Sequence, residues 1–410
     1  MSGSSLLRLL RWSGVAMIFI LGLWLRLPGE IHRAHKGTDE AYYEGYVIKL
    51  ESNGLGSYPA VCRDYIARQT SEPYAFLPPT RVLFLGCATV WGDLFHTPPI
   101  ESVRWVSCLA GIATLALGLF FAWRVSGWGV ALATGALLAV APLAIHLSHR
   151  ALIDGFFAFW ALVCLWALWE ALQAPQKSVW LWVYGAGLAA MVLTKENAAF
   201  AYLGLLAILV LNFWLKMGTA TIRLWLVTIL TPAIGVIGLV LAAGGPATLV
   251  ETYRLNIAKS VILPYAISTG DGPWSRYLLD FMLVSPAVVA LAVAALAGLD
   301  WKQSATRYFA IFLIVSCGLM VQVRYGMNLR YGAMWELPLC WLAVQALVHL
   351  GRFWEPRWRP LVLALFTAAV AGSELWQYDL LFVRGSIYDP VAGAMIQPLQ
   401  MWKPHSSGRQ

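Results

Sequence analysis

The sequence predicts an all-α polytopic membrane protein, and three observations predict it. Of 410 residues, 60% are hydrophobic and 12% charged, against about 45–50% and about 25% in soluble globular domains. Apolar runs long enough to cross a bilayer, about 20 residues each, recur along the chain. The 21 tryptophans and 16 tyrosines supply the aromatic belts that anchor spans at membrane interfaces. The net charge of +8 comes with no basic stripe or aromatic-basic platform, so nucleic acid is not an expected partner, and the excess is assigned to cytoplasmic loops and anionic lipid groups. The six cysteines contain no CxxC pair, so spacing supports neither a zinc site nor a disulfide framework. Cys62 and Cys87 could be bridged only if both face an oxidising side.

Taken in order, the N-terminus has two arginines and then an apolar run without a small-residue cleavage site before Pro28, and it reads as an uncleaved first span. Hydropathy places later spans near 104–123, 128–147, 155–172, 179–194, 198–215, 223–243, 277–298, 306–323, 332–350 and 360–377, about eleven in all. Residues 79–96 are apolar but short, with Arg81 and Asp93 set inside, as in a helix lying on the membrane surface. If they do not span, every inner stretch carries at least one basic residue (Arg8, Arg11, Arg124, Lys177, Lys216, Arg223, Lys302, Arg307, Arg352, Arg357, Arg359), as the positive-inside rule requires. That topology gives one membrane domain over 1–377, with large outer loops at 28–103 and 244–276, and a short outer-face tail over 378–410.

Under it, five polar features share the outer face. In KGTDEAYYEGYVIKLESNG, Thr38 can cap a helix whose first turn carries Asp39 and Glu40. Tyr43, Tyr46, Val47 and Leu50 then recur at helical spacing, the pattern of an interfacial amphipathic helix. The acid pair either stabilises that helix start or holds a general base. In HLSHRALIDGFFAFW, Arg150 and Asp154 are four residues apart, either an exposed i,i+4 pair or charges facing a polar cavity. His146 and His149 precede them. In LTKENAAFAY, Lys195 and Glu196 form either a self-neutralising turn or a fixed cation for a phosphate. RYGMNLRYGAMWELP places Arg324, Arg330, Tyr331 and Glu336 at the outer end of a span, and Trp274 and Tyr277 of TGDGPWSRYLLDFMLVSP read as belt aromatics.

The order TDEAYY, RALIDGFFAFW, LTKE, GPWSRYL, LRYGAMWELP resembles the GT-C glycosyltransferases of the protein O-mannosyltransferase and aminoarabinose-transferase type, from residue 10 to about 350. The resemblance implies a GT-C fold with surface helices in the first outer loop. It also implies inverting transfer of a sugar from a polyprenyl-phosphate carrier to a lipid, glycan or protein acceptor at the periplasmic face of the inner membrane. It makes Asp39 the catalytic base beside Glu40, with Asp154 the second acid. Lys195 and Arg330 fall near the carrier phosphate, and Tyr42, Tyr43 and Tyr331 lie in the matching motifs. The family lysine that opens the second surface helix is replaced by FLPPTR, so Arg81 or Arg150 is expected to substitute. Some relatives place a divalent metal where Asp39 and Asp154 would meet, but with arginine and lysine available no cofactor is expected to be essential. The competing class is a transporter or flippase for lipid-linked sugar; most predicted spans lack the mid-span charge that class carries.

Overall fold

The computed structural model describes residues 3–27, 36–72, 74, 76–263, 272–298, 301–323 and 327–388. All regular structure among these residues is helical. The first span, α1 (Gly3–Arg26), leads to three helices of the first loop, α2 (Thr38–Asn53), α3 (Tyr58–Ser71) and α4 (Val82–Phe95). At 14 residues, α4 is about 21 Å long, short of the ~30 Å hydrocarbon core. It packs on α2 and on α5 (Pro99–Val140).

The 42 residues of α5 are two antiparallel limbs folded at Gly127, whose φ of 78° is in the left-handed region open to glycine. Gly118 abuts Leu138, and Gly135 abuts Leu119 across the fold. The limbs correspond to the two spans expected at 104–123 and 128–147, but the second stops at Val140. Pro142, which cannot donate to the ladder, starts a separate short helix, α6 (Pro142–His149). The bundle continues with α7 (Ile153–Gln173), α8 (Ser178–Thr194), α9 (Ala198–Leu215), α10 (Ile222–Ala243) and α11 (Pro246–Ile262). The single span expected at 277–298 is two pieces, α12 (Arg276–Val284) and α13 (Pro286–Gly298), broken for the same reason at Pro286. After α14 (Ser304–Met320), a 3-10 segment (Leu329–Trp335) opens α15 (Glu336–Gly351). Last come α16 (Arg359–Tyr378) and a π-helical turn (Asp379–Arg384).

Seven helices among the described residues are long and apolar enough to cross a membrane, α5 counted once, and four more are apolar but shorter. Length and composition thus leave the eleven spans read from hydropathy unconfirmed, while the multi-pass membrane architecture stands. Ile229, Ile234, Ile237 and Leu241 of α10 are exposed, as expected of a surface solvated by lipid tails.

Inside the bundle, several buried polar groups are paired, as a low-dielectric interior favours. Tyr308 donates to the Leu165 carbonyl at 2.5 Å and Trp335 Nε1 to Ser316 Oγ at 2.8 Å. Arg26 donates to the carbonyls of Leu138 and Ala139, both at 2.7 Å, tying the end of α1 to the second limb of α5. At the far end Arg124 grips Glu170 through two bonds of 2.7 and 2.8 Å. All six cysteines are free, Cys62 and Cys87 included.

Candidate functional site

The site begins where α2 begins. Its N-cap is Gly37, and Thr38 is already helical, so the cap comes from the other direction: the Glu40 carboxylate accepts from Gly37 N at 2.8 Å. Glu40 lies on the buried face with Tyr43, Val47 and Leu50, and is itself 0% exposed. It also accepts from Arg150 Nη2 at 2.7 Å and Ala151 N at 2.8 Å. Arg150 reaches it because the chain is extended there (φ −105°, ψ 148°), between α6 and α7. Arg150 and Asp154 are therefore not an i,i+4 pair, and Arg150 is engaged with a carboxylate.

Asp39 points elsewhere. One helical position is about 100° around the axis, which carries its carboxylate off the buried face to the guanidinium of Arg330. Arg330 lies in the 3-10 segment, where the Asn328 side chain caps Arg330 N at 3.1 Å. Trp335 anchors the same segment between the rings of Tyr277 and Phe281, at 5.3 and 5.9 Å. Arg330 Nε lies 3.6 Å from Asp154 Oδ2, and the other Asp154 oxygen accepts from Lys195 Nζ. The Lys195 ammonium stands 3.7 Å over the Tyr331 ring, a cation–π contact. Four segments distant in sequence thus build one alternating chain, Asp39–Arg330–Asp154–Lys195.

Lys195 and Glu196 do not neutralise each other. Glu196 accepts from Thr80 Oγ1 at 3.1 Å and lies 3.7 Å from Arg81 Nη2. Arg81 sits 5.6 Å from the Tyr43 ring centroid, and Tyr42 packs edge-on to Phe76 at 5.6 Å. His146 and His149 donate to the carbonyls of Tyr388 and Leu25, at 2.7 and 2.6 Å. No group of three or more His, Cys, Asp or Glu side chains converges among the described residues. Arg330, a cation, lies between the two acids where a metal was considered. Arg324 falls outside the described residues.

Sequence reading missed three participants: Thr80, Lys259 and Tyr388. Lys259 of α11 donates to the Phe76 carbonyl and lies 5.8 Å from the Tyr65 ring. Nothing in the pattern of 246–262 singles it out, because only the packing of α11 on α3 brings it in. Burial and neighbouring Arg81 pull the Lys259 ammonium down to about 7, against the attraction of Glu196 and Asp39. Burial pulls Lys195 down to about 8; Asp154 opposes the shift, and Arg330 and Arg81 add to it. Both lysines have Arg81 as a cationic neighbour, a repulsion that an incoming anion would offset.

Beside this polar site runs an apolar groove of about 580 Å³. Val82 and Leu83, next to Arg81, stand on one wall, and Phe156 and Leu193, two residues from Asp154 and Lys195, on the other. Gly86 and Val90 carry it along α4. A groove of that character accommodates hydrocarbon.

Comparison with known proteins bears on the fold. The family model described as dolichyl-phosphate-mannose-protein mannosyltransferase matches residues 90–244, a stretch that holds Arg150, Asp154 and Lys195. Among solved structures, the archaeal oligosaccharyltransferase AglB from Archaeoglobus fulgidus, in complex with an inhibitory peptide and a dolichol-phosphate, superposes with a TM-score of 0.61 at 13% identity. That match covers 98% of this chain and 60% of the archaeal one. ArnT from Cupriavidus metallidurans bound to undecaprenyl phosphate gives a TM-score of 0.57 at 16% identity, covering 98% of this chain and 82% of that one. No curated protein matches the sequence. The chain has the fold of the GT-C membrane glycosyltransferases.

Proposed function

We propose that the protein is a glycosyltransferase that moves a sugar from a polyprenyl-phosphate carrier to an acceptor on the periplasmic face of a bacterial inner membrane. The observation that carries this reading is the Asp39–Arg330–Asp154–Lys195 chain, opening beside an apolar groove. The two solved structures described above hold dolichol-phosphate and undecaprenyl phosphate, respectively, and a carrier of that kind has the two chemistries this site offers. Its tail fits the groove, and its phosphate meets Arg330, Lys195 and Arg81.

The proposed reaction is one displacement. The acceptor oxygen attacks the anomeric carbon while Asp39 takes its proton. The bond from that carbon to the phosphate oxygen breaks, and its electron pair leaves with the polyprenyl phosphate. That leaving group is a stable anion, so fixed positive charge serves it better than protonation. Attack opposite the leaving group inverts the anomeric centre. When phosphate enters, Arg330 gains a third anionic partner and releases Asp39 toward the acceptor. Asp154 holds Arg330 and Lys195 in place, so the reaction does not require a divalent ion between the acids, and a chelator should leave the rate unchanged.

The test uses purified protein in lipid nanodiscs with a panel of polyprenyl-phosphate sugars, with and without a membrane-lipid extract as acceptor. Release of free polyprenyl phosphate, followed by mass spectrometry, is expected with one sugar. Carrier binding without release from any donor, together with lipid flipping in liposomes, would replace this reading with transport of a lipid-linked sugar.

A further inference from the structure

The chain does not simply leave the membrane after α16. The π-helical turn closes with Gly385 N bonded to Leu380 O at 3.0 Å and Ile387 N to Leu381 O at 3.1 Å. Ser386 takes a left-handed φ of 48°, and the turn doubles back over the start of α2. Phe382 stacks on the His146 ring at 4.2 Å and 22°, while His146 Nε2 donates to the Tyr388 carbonyl at 2.7 Å. The Tyr388 ring then lies 4.3 Å from the Arg150 guanidinium. Its other neighbour is Gly37, so close that a Cβ built there would lie 2.0 Å from Tyr388 Cζ.

These contacts complete a ring. Gly37 N is held by Glu40, Glu40 by Arg150, Arg150 lies against Tyr388, and Tyr388 presses on Gly37. Asp39 sits inside it, between Gly37 and Glu40. The phenol hydroxyl is buried without a hydrogen-bond partner, so the ring and its oxygen meet Gly37 by van der Waals contact alone.

We infer that Tyr388 is a positioning residue, a wedge from the C-terminal turn that fixes the start of α2 and thereby the direction of the Asp39 carboxylate. In its catalytic sense this rests on the function proposed above. Displacing a reacting group by about 1 Å costs on the order of a hundredfold in rate, and removal of the wedge gives Asp39 that freedom.

Two readouts test it. In nanodiscs, Tyr388→Ala is expected to lower kcat for carrier release about 10- to 100-fold, with affinity for undecaprenyl phosphate within about twofold of wild type. Tyr388→Phe, which keeps the ring, should restore most of the rate. Gly37→Ala should also lower kcat, and combined with Tyr388→Ala it should cost less than the product of the two, because the pair is in contact. Equal losses of kcat and carrier affinity in Tyr388→Ala, or a Phe variant as poor as Ala, would overturn the inference. The second readout needs no turnover: amide hydrogen exchange of residues 37–43 should be about tenfold faster in Tyr388→Ala, with residues 198–215 unchanged. Unaltered exchange at 37–43 overturns the wedge whatever the enzyme assay shows. A wild type that exchanges as expected but transfers no sugar would refute the proposed function and leave the wedge standing.

Discussion

Asp39 and Glu40 are neighbours in sequence and differ in almost everything else. The Glu40–Arg150 pair is sealed, with side-chain exposures of 0% and 5%, and backbone amides from two segments close around it. The Asp39–Arg330 pair is partly open, at 22% and 10%, and its arginine is shared with a second acid. A sealed pair cannot meet a substrate without unfolding its surroundings, whereas an open, shared one can exchange partners. The contrast teaches that an acid pair at a helix start need not act as a unit. The 100° between successive residues assigns one carboxylate to the frame and leaves the other partly exposed.

The sharpest way to break this comparison is to neutralise each acid in turn. Asp39→Asn should lower turnover by about 10²–10⁴-fold, the usual worth of a general base, with thermal stability and carrier binding little changed. A rate near wild type would remove Asp39 from the chemistry. Glu40→Gln should instead act on the fold, since it leaves a buried guanidinium without its counter-charge, at a cost of about 3–5 kcal/mol. Thermal unfolding of the two variants side by side separates the roles, and equal stabilities would dissolve the distinction.

A smaller effect is expected from the shared arginine. Arg330→Ala should raise the donor KM about ten- to a hundredfold, the range for losing a charged hydrogen bond, with kcat falling less than in Asp39→Asn. An unchanged KM would take Arg330 away from the phosphate. The smallest effect is on pH. Lysine is charged below its pKa, so Lys259 near 7 and Lys195 near 8 lose charge as pH rises from 7 to 9. Undecaprenyl phosphate should therefore bind several-fold more weakly at pH 9. Because a phosphate monoester only gains charge over that range, the weakening must come from the protein. Lys259→Arg should shift its onset upward, and a flat profile would show that neither ammonium meets the phosphate.

Much of this was legible in the chain and some was not. The helix with Tyr43, Val47 and Leu50 on one face followed from spacing, because a 3.6-residue period on an apolar surface has one solution. Residues 79–96 read as a short apolar segment, and the helix within them, Val82–Phe95, is 14 residues long. The two proline breaks, at Pro142 and Pro286, lay in plain view, but apolar runs on both sides hid them from hydropathy. The local pairings failed for a different reason. Arg150 with Asp154 and Lys195 with Glu196 were judged by sequence distance, and in each case a partner from another segment prevailed: Glu40, Lys195 and Arg330, or Arg81 and Thr80. In a buried environment a charge takes whichever counter-charge satisfies its geometry, and nearness along the chain has little weight.

By itself, then, the sequence determined the solvent this chain folds in, the helical class, and the residues Asp39, Asp154, Lys195 and Arg330 as the polar outliers of an apolar chain. Charges that are expensive in a membrane stand out on composition alone. Only the tertiary structure decided which of those charges face one another, that Glu40 and Arg150 form a frame, and that Lys259 and Tyr388 belong to the site at all. Those two are an ordinary lysine and an ordinary tyrosine in the sequence, and what distinguishes them is the surface that long-range packing places beside them.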